Sequence, residues 1–394
     1  MAVSGVVLVA SALVLAAAAA ALVRRWRLLA ALGTALAFVA LARAVGMAPG
    51  VPVDLADLLL WPGSNLRTSV TVGMDLPLAV GGYSWSLAAV EVPWLRFWLL
   101  AGAGAALLSL LSWEERLPAL VALALLGGMG VAAASAPASG LWGGVALLAA
   151  GAVMLGDRDV ALAFLGSGAV GLVAWLLALE EGEATLASGA AVLSLAFWFG
   201  CLPWGSWASG ACRRGDPIAA GFALAFLPAL GWHLLRPAVD RMGPAWLLGG
   251  AAWLLGVGGL GALVHRHPRE VWYDGALVSL GLVLLAAARA GPGGQEVGRA
   301  LVWRSMALGV LVPALGTVLG GGAWRTWRAV LLLVGLAALV GLPPWPAFGL
   351  WRGVLSSGGE AALPGWVVGV AVGALGASAL GWWRVLRSLL RPRQ

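Results

Sequence analysis

Windows of about twenty consecutive apolar residues recur from one end of this chain to the other, and that repetition leaves few folds open. They lie near 3–23, 27–46, 92–113, 117–136, 138–156, 159–179, 186–203, 217–235, 244–264, 271–290, 300–320, 327–350 and 365–388. Each is long enough to cross a bilayer as a helix, and lipid admits only backbones that satisfy their own hydrogen bonds. The 394 residues are 61% hydrophobic and 10% charged, against roughly 25% charged in a soluble domain. The fold class is therefore an all-α polytopic membrane protein with about 13 transmembrane helices. The first window ends at Arg24-Arg25-Trp26-Arg27, which reads as a basic anchor on a retained span, not a cleaved leader. The longest interruption, 47–91, carries Asp54, Asp57, Asp75 and Glu91 among Pro, Gly and Ser and reads as an extramembrane, hairpin-like loop.

Charge sets the orientation and removes several functions. The net charge is +7, and every basic side chain other than the histidines is arginine. An N-terminus outside and a C-terminus in the cytoplasm put most of the arginines on the cytoplasmic side, among them Arg24, Arg116, Arg158, Arg213, Arg266, Arg325 and Arg387. The Glu180-Glu181-Glu183 cluster then falls outside. Arginine keeps its proton, so the chain lacks lysine, the cation most readily tuned toward neutrality by burial. The arginines are spread over short loops and form no nucleic-acid patch. Cys201 and Cys212 have no metal-type spacing, and no phosphate-binding glycine loop or Cys/His nucleophile pair appears. Expected cofactors are none, expected metals none, and redox or hydrolytic catalysis by this chain alone is not indicated.

Within one apolar run stands Gly341-Leu-Pro-Pro-Trp-Pro-Ala-Phe348-Gly-Leu-Trp351-Arg352. Pro343 and Pro344 remove two backbone donors and clash with the preceding turn, so a helix through them must break. In lipid such a break survives only against protein or a water-filled cavity, the setting of ion and substrate paths. A plain connecting loop or a packing kink accounts for the same residues.

Several stretches resemble one family: the antiporter-like, proton-conducting membrane subunits of respiratory complex I, membrane hydrogenases and multisubunit Na+/H+ antiporters. Gly341-Leu342-Pro343-Pro344 with Phe348 is similar to the family's Gly-Leu-Pro-Pro-Leu-Ala-Gly-Phe-x-x-Lys. Trp198-Phe-Gly-Cys-Leu-Pro203-Trp-Gly-Ser206-Trp207 resembles Lys-Ala-Ala-Leu-Phe-Pro-Leu-His-Ser-Trp, and Arg236 closes the following helix where the family has Leu-Leu-Arg. Two weaker matches are 158–167 and Arg269-Glu-Val-Trp-Tyr273. They keep the family's order over 158–352, and size places the chain nearest to subunit N of complex I, in a degenerate form.

The resemblance implies two inverted five-helix repeats, each with a broken helix. It implies divisions at 1–91 (two spans and the loop), 92–235 (first repeat) and 236–394 (second repeat and C-terminal span). It also implies a midplane row of buried groups that exist in charged and neutral forms. Here that row is depleted. Window 138–156 has no acid where the family has a glutamate. Trp198 stands at the first lysine, Ala225 to Pro228 at the next, Arg304 and Leu308 near the expected His and Lys, and Trp351 beside Arg352 at the last. A guanidinium holds an anion or sets a field but relays no proton, so the expectation is an antiporter-like subunit without a complete proton path of its own.

Among the remaining polar residues, Arg96 reads as an interfacial side chain, with pairing to Glu91 as the alternative, and His233 as a hydrogen-bonded histidine near a helix end. His265 and His267 read as solvated, and Arg352 as a cap for carbonyls freed by the break. The leading functional expectation is a non-catalytic, structural or coupling subunit in the membrane arm of a redox-driven, ion-translocating complex of the NADH:quinone oxidoreductase type. It sits in the plasma (inner) membrane, beside other membrane subunits and lipid. A stand-alone or two-component ion or inorganic-carbon transporter is the alternative.

Overall fold

The computed structural model describes residues 3–4, 27–44, 52–54, 69–73, 92–108, 224–226, 228–229, 231–232, 244–290, 330, 334, 352 and 363–390. Its contacts divide the chain into two compact units, Met1–Leu165 and Gly166–Gln394.

In the first unit, helices α1 (Arg27–Ala44) and α2 (Val92–Leu108) pack together. Both are apolar on every side, so alternation of polar and apolar residues does not choose the contact; size does. Small residues line the buried faces, Ala31, Ala35 and Ala42 on α1 and Ala103 and Ala106 on α2, letting the backbones approach. Trp98 and Leu99 on α2 are large buried residues as well, and so is Phe38 on α1. Its ring is fully buried and occupies the space a side chain at Gly102 would need, since a Cβ there would stand 2.6 Å from Phe38 Cε1. Leu28, Leu29, Leu32 and Leu36 remain exposed.

Three short strands accompany this pair. Strands β2 (Pro52–Asp54) and β3 (Ser69–Gly73) are antiparallel, with Val53 opposite Val70, so part of the 47–91 interruption is hairpin-like. Strand β1 (Val3–Ser4) pairs with β3 in parallel, Val3 opposite Val72. The first span therefore does not begin at Val3, because the extended residues of β3 offer these two a ladder that an isolated reading of 3–23 does not contain.

The second unit holds α3 (Pro244–Val264), α4 (Pro268–Ala290) and α5 (Gly365–Leu390), the three described helices long and apolar enough to cross a membrane. Helices α3 and α4 form an antiparallel hairpin. Gly258 meets Asp274 and Val278 near the turn, and Gly250 meets Leu284 farther away. Helix α5 runs parallel to α3, with Gly259 against Ala374 and Gly381 against Ala262. The same end of the cluster thus gathers the end of α3, the start of α4 and the end of α5.

Burial differs sharply among the three. The spanning window of α4 is 89% buried, against 39% in α3 and 33% in α5. Along α3 the buried positions are Leu247, Ala251, Leu254, Leu255, Gly258, Gly259 and Ala262, a stripe of mostly small residues at three- and four-residue spacing. Its other side exposes Trp246, Trp253, Leu260 and Val264. Helix α4 starts where its local chemistry directs: the His267 carbonyl accepts from Glu270 and Val271, and Pro268 follows at the position that needs no N–H. Glu270 adds an acid to the first turn, where the helix dipole favours it.

Candidate functional site

The chemistry in the described residues concentrates at the α3–α4 turn. The last turn of α3 leaves carbonyls without helical partners. Gly261 accepts from the backbone N–H of His265 at 2.8 Å, and Ala262 accepts from Arg384 Nη2 of α5 at 2.6 Å. A guanidinium at a helix C-terminus satisfies an orphan acceptor and complements the dipole. Gly381 permits the approach, because a Cβ there would run into the Ala262 carbonyl.

Inside this end lies Asp274, in the second turn of α4. Its side chain is 2% exposed, and its Oδ2 lies 2.8 Å from Nδ1 of His265, itself 33% exposed. With Asp274 ionised, Nδ1–H of His265 donates and the carboxylate accepts; the ring's tautomer follows from that assignment. Two glycines of α3 make room for the acid. A Cβ on Gly261 would fall on the Asp274 carboxylate, and one on Gly258 would stand 2.7 Å from the Asp274 backbone oxygen. The hairpin therefore carries a carboxylate inside a spanning helix and joins it to a histidine that reaches the end of the cluster. His267 is exposed and its Nδ1 accepts from the Arg269 backbone N–H at 3.3 Å, an N-cap contact.

This arrangement corrects the solvated reading of His265. Local sequence marks it as a loop residue that flanks Arg266 together with His267; closure of the hairpin brings it onto an acid nine positions away. Asp274 is a candidate residue that motif comparison missed. It follows Arg269-Glu-Val-Trp-Tyr273 directly, and the signal that identifies it is simple: an acid inside an apolar window is costly and is retained for a partner.

Of the positions predicted along the ion path, Pro228 lies in helical backbone and is buried, amid Leu224, Ala225, Phe226, Ala229 and Trp232, which are buried as well. Lacking an N–H, it cannot serve the Leu224 carbonyl four positions back. Arg352 is helical and exposed. Trp198, Pro203, His233, Arg304, Pro343, Pro344 and Trp351 lie outside the described residues, as do Arg96, Cys201 and Cys212 as side chains. Among the described residues no three His, Cys, Asp or Glu gather as a metal site.

No protein-family profile and no curated protein matches this chain. Solved structures do. A chain of the membrane-bound sulfane sulfur reductase, an archaeal respiratory membrane complex, superposes with a TM-score of 0.72 at 15% identity, over 96% of this chain and 68% of that one. A chain of respiratory complex I from Thermus thermophilus with bound aureothin gives 0.70 at 17% identity, over 98% and 91%. A chain of the Mrp complex from Dietzia sp. DQ12-45-1b gives 0.69 at 17% identity, over 97% and 78%. At such identities the likeness speaks for fold.

Proposed function

We propose that this chain, whose fold is antiporter-like, is an integral membrane-arm subunit of a redox-driven, ion-translocating complex akin to respiratory complex I. Its role there is structural or in coupling, without a complete proton path of its own. The observation that carries this reading is the near full-length likeness to chains of respiratory membrane complexes. The depleted row of titratable residues at 138–156, Trp198, 225–228, Arg304 and Trp351 supports the absence of a path, because a relay needs groups that gain and lose protons. In this reading the divisions 1–91, 92–235 and 236–394 hold. The arginine-rich end, with Arg266, Arg269, Arg384 and Arg387, faces the cytoplasm, and the N-terminus lies outside. The chain binds no nicotinamide, flavin or iron–sulphur group.

The likeness to a chain of the Mrp complex favours a second reading, a transporter working without redox partners. Purification of the native assembly in mild detergent, followed by mass spectrometry of its components, separates the two. Redox subunits and a second antiporter-like chain in one particle are expected. A homogeneous particle without them overturns the first reading.

A further inference from the structure

The geometry points to a proton-exchange site formed by His265 and Asp274, with hydronium from the adjoining aqueous phase as its ligand. This inference does not rest on the proposed function, since it holds equally for a subunit of a complex and for a transporter working alone.

Four observations carry it. Asp274 is buried inside a spanning helix, where an ionisable group is expensive to keep. His265 stands 2.8 Å from its carboxylate, in the turn that also carries Arg266. Imidazole, unlike guanidinium, gains and loses its proton between about pH 5 and pH 8 and offers two nitrogens, one on each side of the ring. With Nδ1 turned to the buried carboxylate and a third of its side chain exposed, His265 spans the boundary that a proton has to cross.

The glycines complete the site. Side chains at Gly258 or Gly261 would occupy the space of Asp274, so α3 is hollowed at the two positions that admit the acid. Other ionisable groups at this end frame it. Helix α3 contributes none; the turn contributes Arg266 and His267; α4 itself carries Arg269, Glu270 and Tyr273; α5 carries Arg384, committed to the Ala262 carbonyl, and Arg387. The arginines keep their charge and hold this end positive.

The exchange balances simply. Hydronium gives a proton to Nε2 of His265 and leaves as water. The imidazolium gives the proton on Nδ1 to Oδ2 of Asp274. The ring ends neutral in its other tautomer, the carboxyl is neutral, and the pair has gained one positive charge. Reversal returns the proton to water.

The test uses the full chain in lipid nanodiscs, with 15N-labelled histidine, titrated between about pH 5 and pH 8. The sequence has three histidines, so the His265 resonances are assigned by their loss in H265Q, or by elimination with H233Q and H267Q. The expected result is a change of His265 charge state or tautomer across the range, together with a carboxylic C=O infrared band at low pH that is lost in D274N. A His265 that keeps one charge state and one tautomer, or a spectrum with no carboxyl band lost in D274N, overturns the proposal and leaves a fixed ion pair. Should D274N fail to fold, the wild-type histidine titration decides by itself.

Discussion

The imidazole Nδ1 of His265 stands 2.8 Å from the carboxylate of Asp274, across a turn that joins two spanning helices. The pair ties the hairpin at its end. H265A leaves the buried carboxylate without this donor and is expected to lower stability by about 1–3 kcal/mol, the cost of stranding a buried polar group. H265Q retains an N–H donor and is expected to lose less. Thermal unfolding in detergent measures both, and an H265A midpoint equal to that of the wild type would count against the tie.

Gly258 and Gly256 lie on one helix and answer differently to the same methyl group. A Cβ at Gly258 would stand 2.7 Å from the Asp274 carbonyl and 2.9 Å from Val278, whereas among the described residues nothing lies within 4 Å of one at Gly256. G258A is expected to force α3 and α4 apart and cost about 1–3 kcal/mol. G256A, which meets no described residue, is expected to be neutral or to stabilise by about 0.5–1 kcal/mol, because alanine has less backbone entropy to lose. Side-by-side unfolding curves decide; equal effects would mean that the α3–α4 approach is looser than described.

Arg384 donates to Ala262 across 122 positions of sequence, fastening α5 to the end of α3. R384M keeps much of the stem and removes the donor. A loss of about 0.5–1.5 kcal/mol is expected, the net value of one such bond. It should appear as faster proteolysis near the 381–390 segment, while R387M leaves the cleavage rate near that of the wild type.

Ser279 and Ser378 are buried hydroxyls, and their Oγ atoms have no hydrogen-bond partner among the described residues. Thr34, by contrast, donates to the Ala30 carbonyl at 2.8 Å. Removing an unpartnered buried hydroxyl recovers its desolvation cost. S279A and S378A are expected to unfold at or above the wild-type temperature; a clear drop for either would reveal a partner that the hydroxyl serves.

What the sequence determined was the material of the fold. Apolar windows at 27–46, 92–113, 244–264, 271–290 and 365–388 became helices Arg27–Ala44, Val92–Leu108, Pro244–Val264, Pro268–Ala290 and Gly365–Leu390. Length and hydropathy are properties of the local chain, and a spanning helix needs little else. Even the early start of α4 is written locally, in His267 before Pro268. The likeness in fold to chains of respiratory membrane complexes was legible too, in the order of the motifs along 158–352.

Only tertiary structure decided which faces are buried. Helices apolar all round give no periodic signal, so the near-complete burial of α4 beside the half-open α3 and α5 could not be read from their residues. The same holds for Val3, which lies in a strand because Val72 is there to pair with it. It holds most of all for Asp274. As sequence, it is one acid after a motif and His265 one histidine in a loop; they meet because glycines at 258 and 261 let α3 and α4 close on each other. Backbone approach depends on both helices at once, which is why the site belongs to the packed structure.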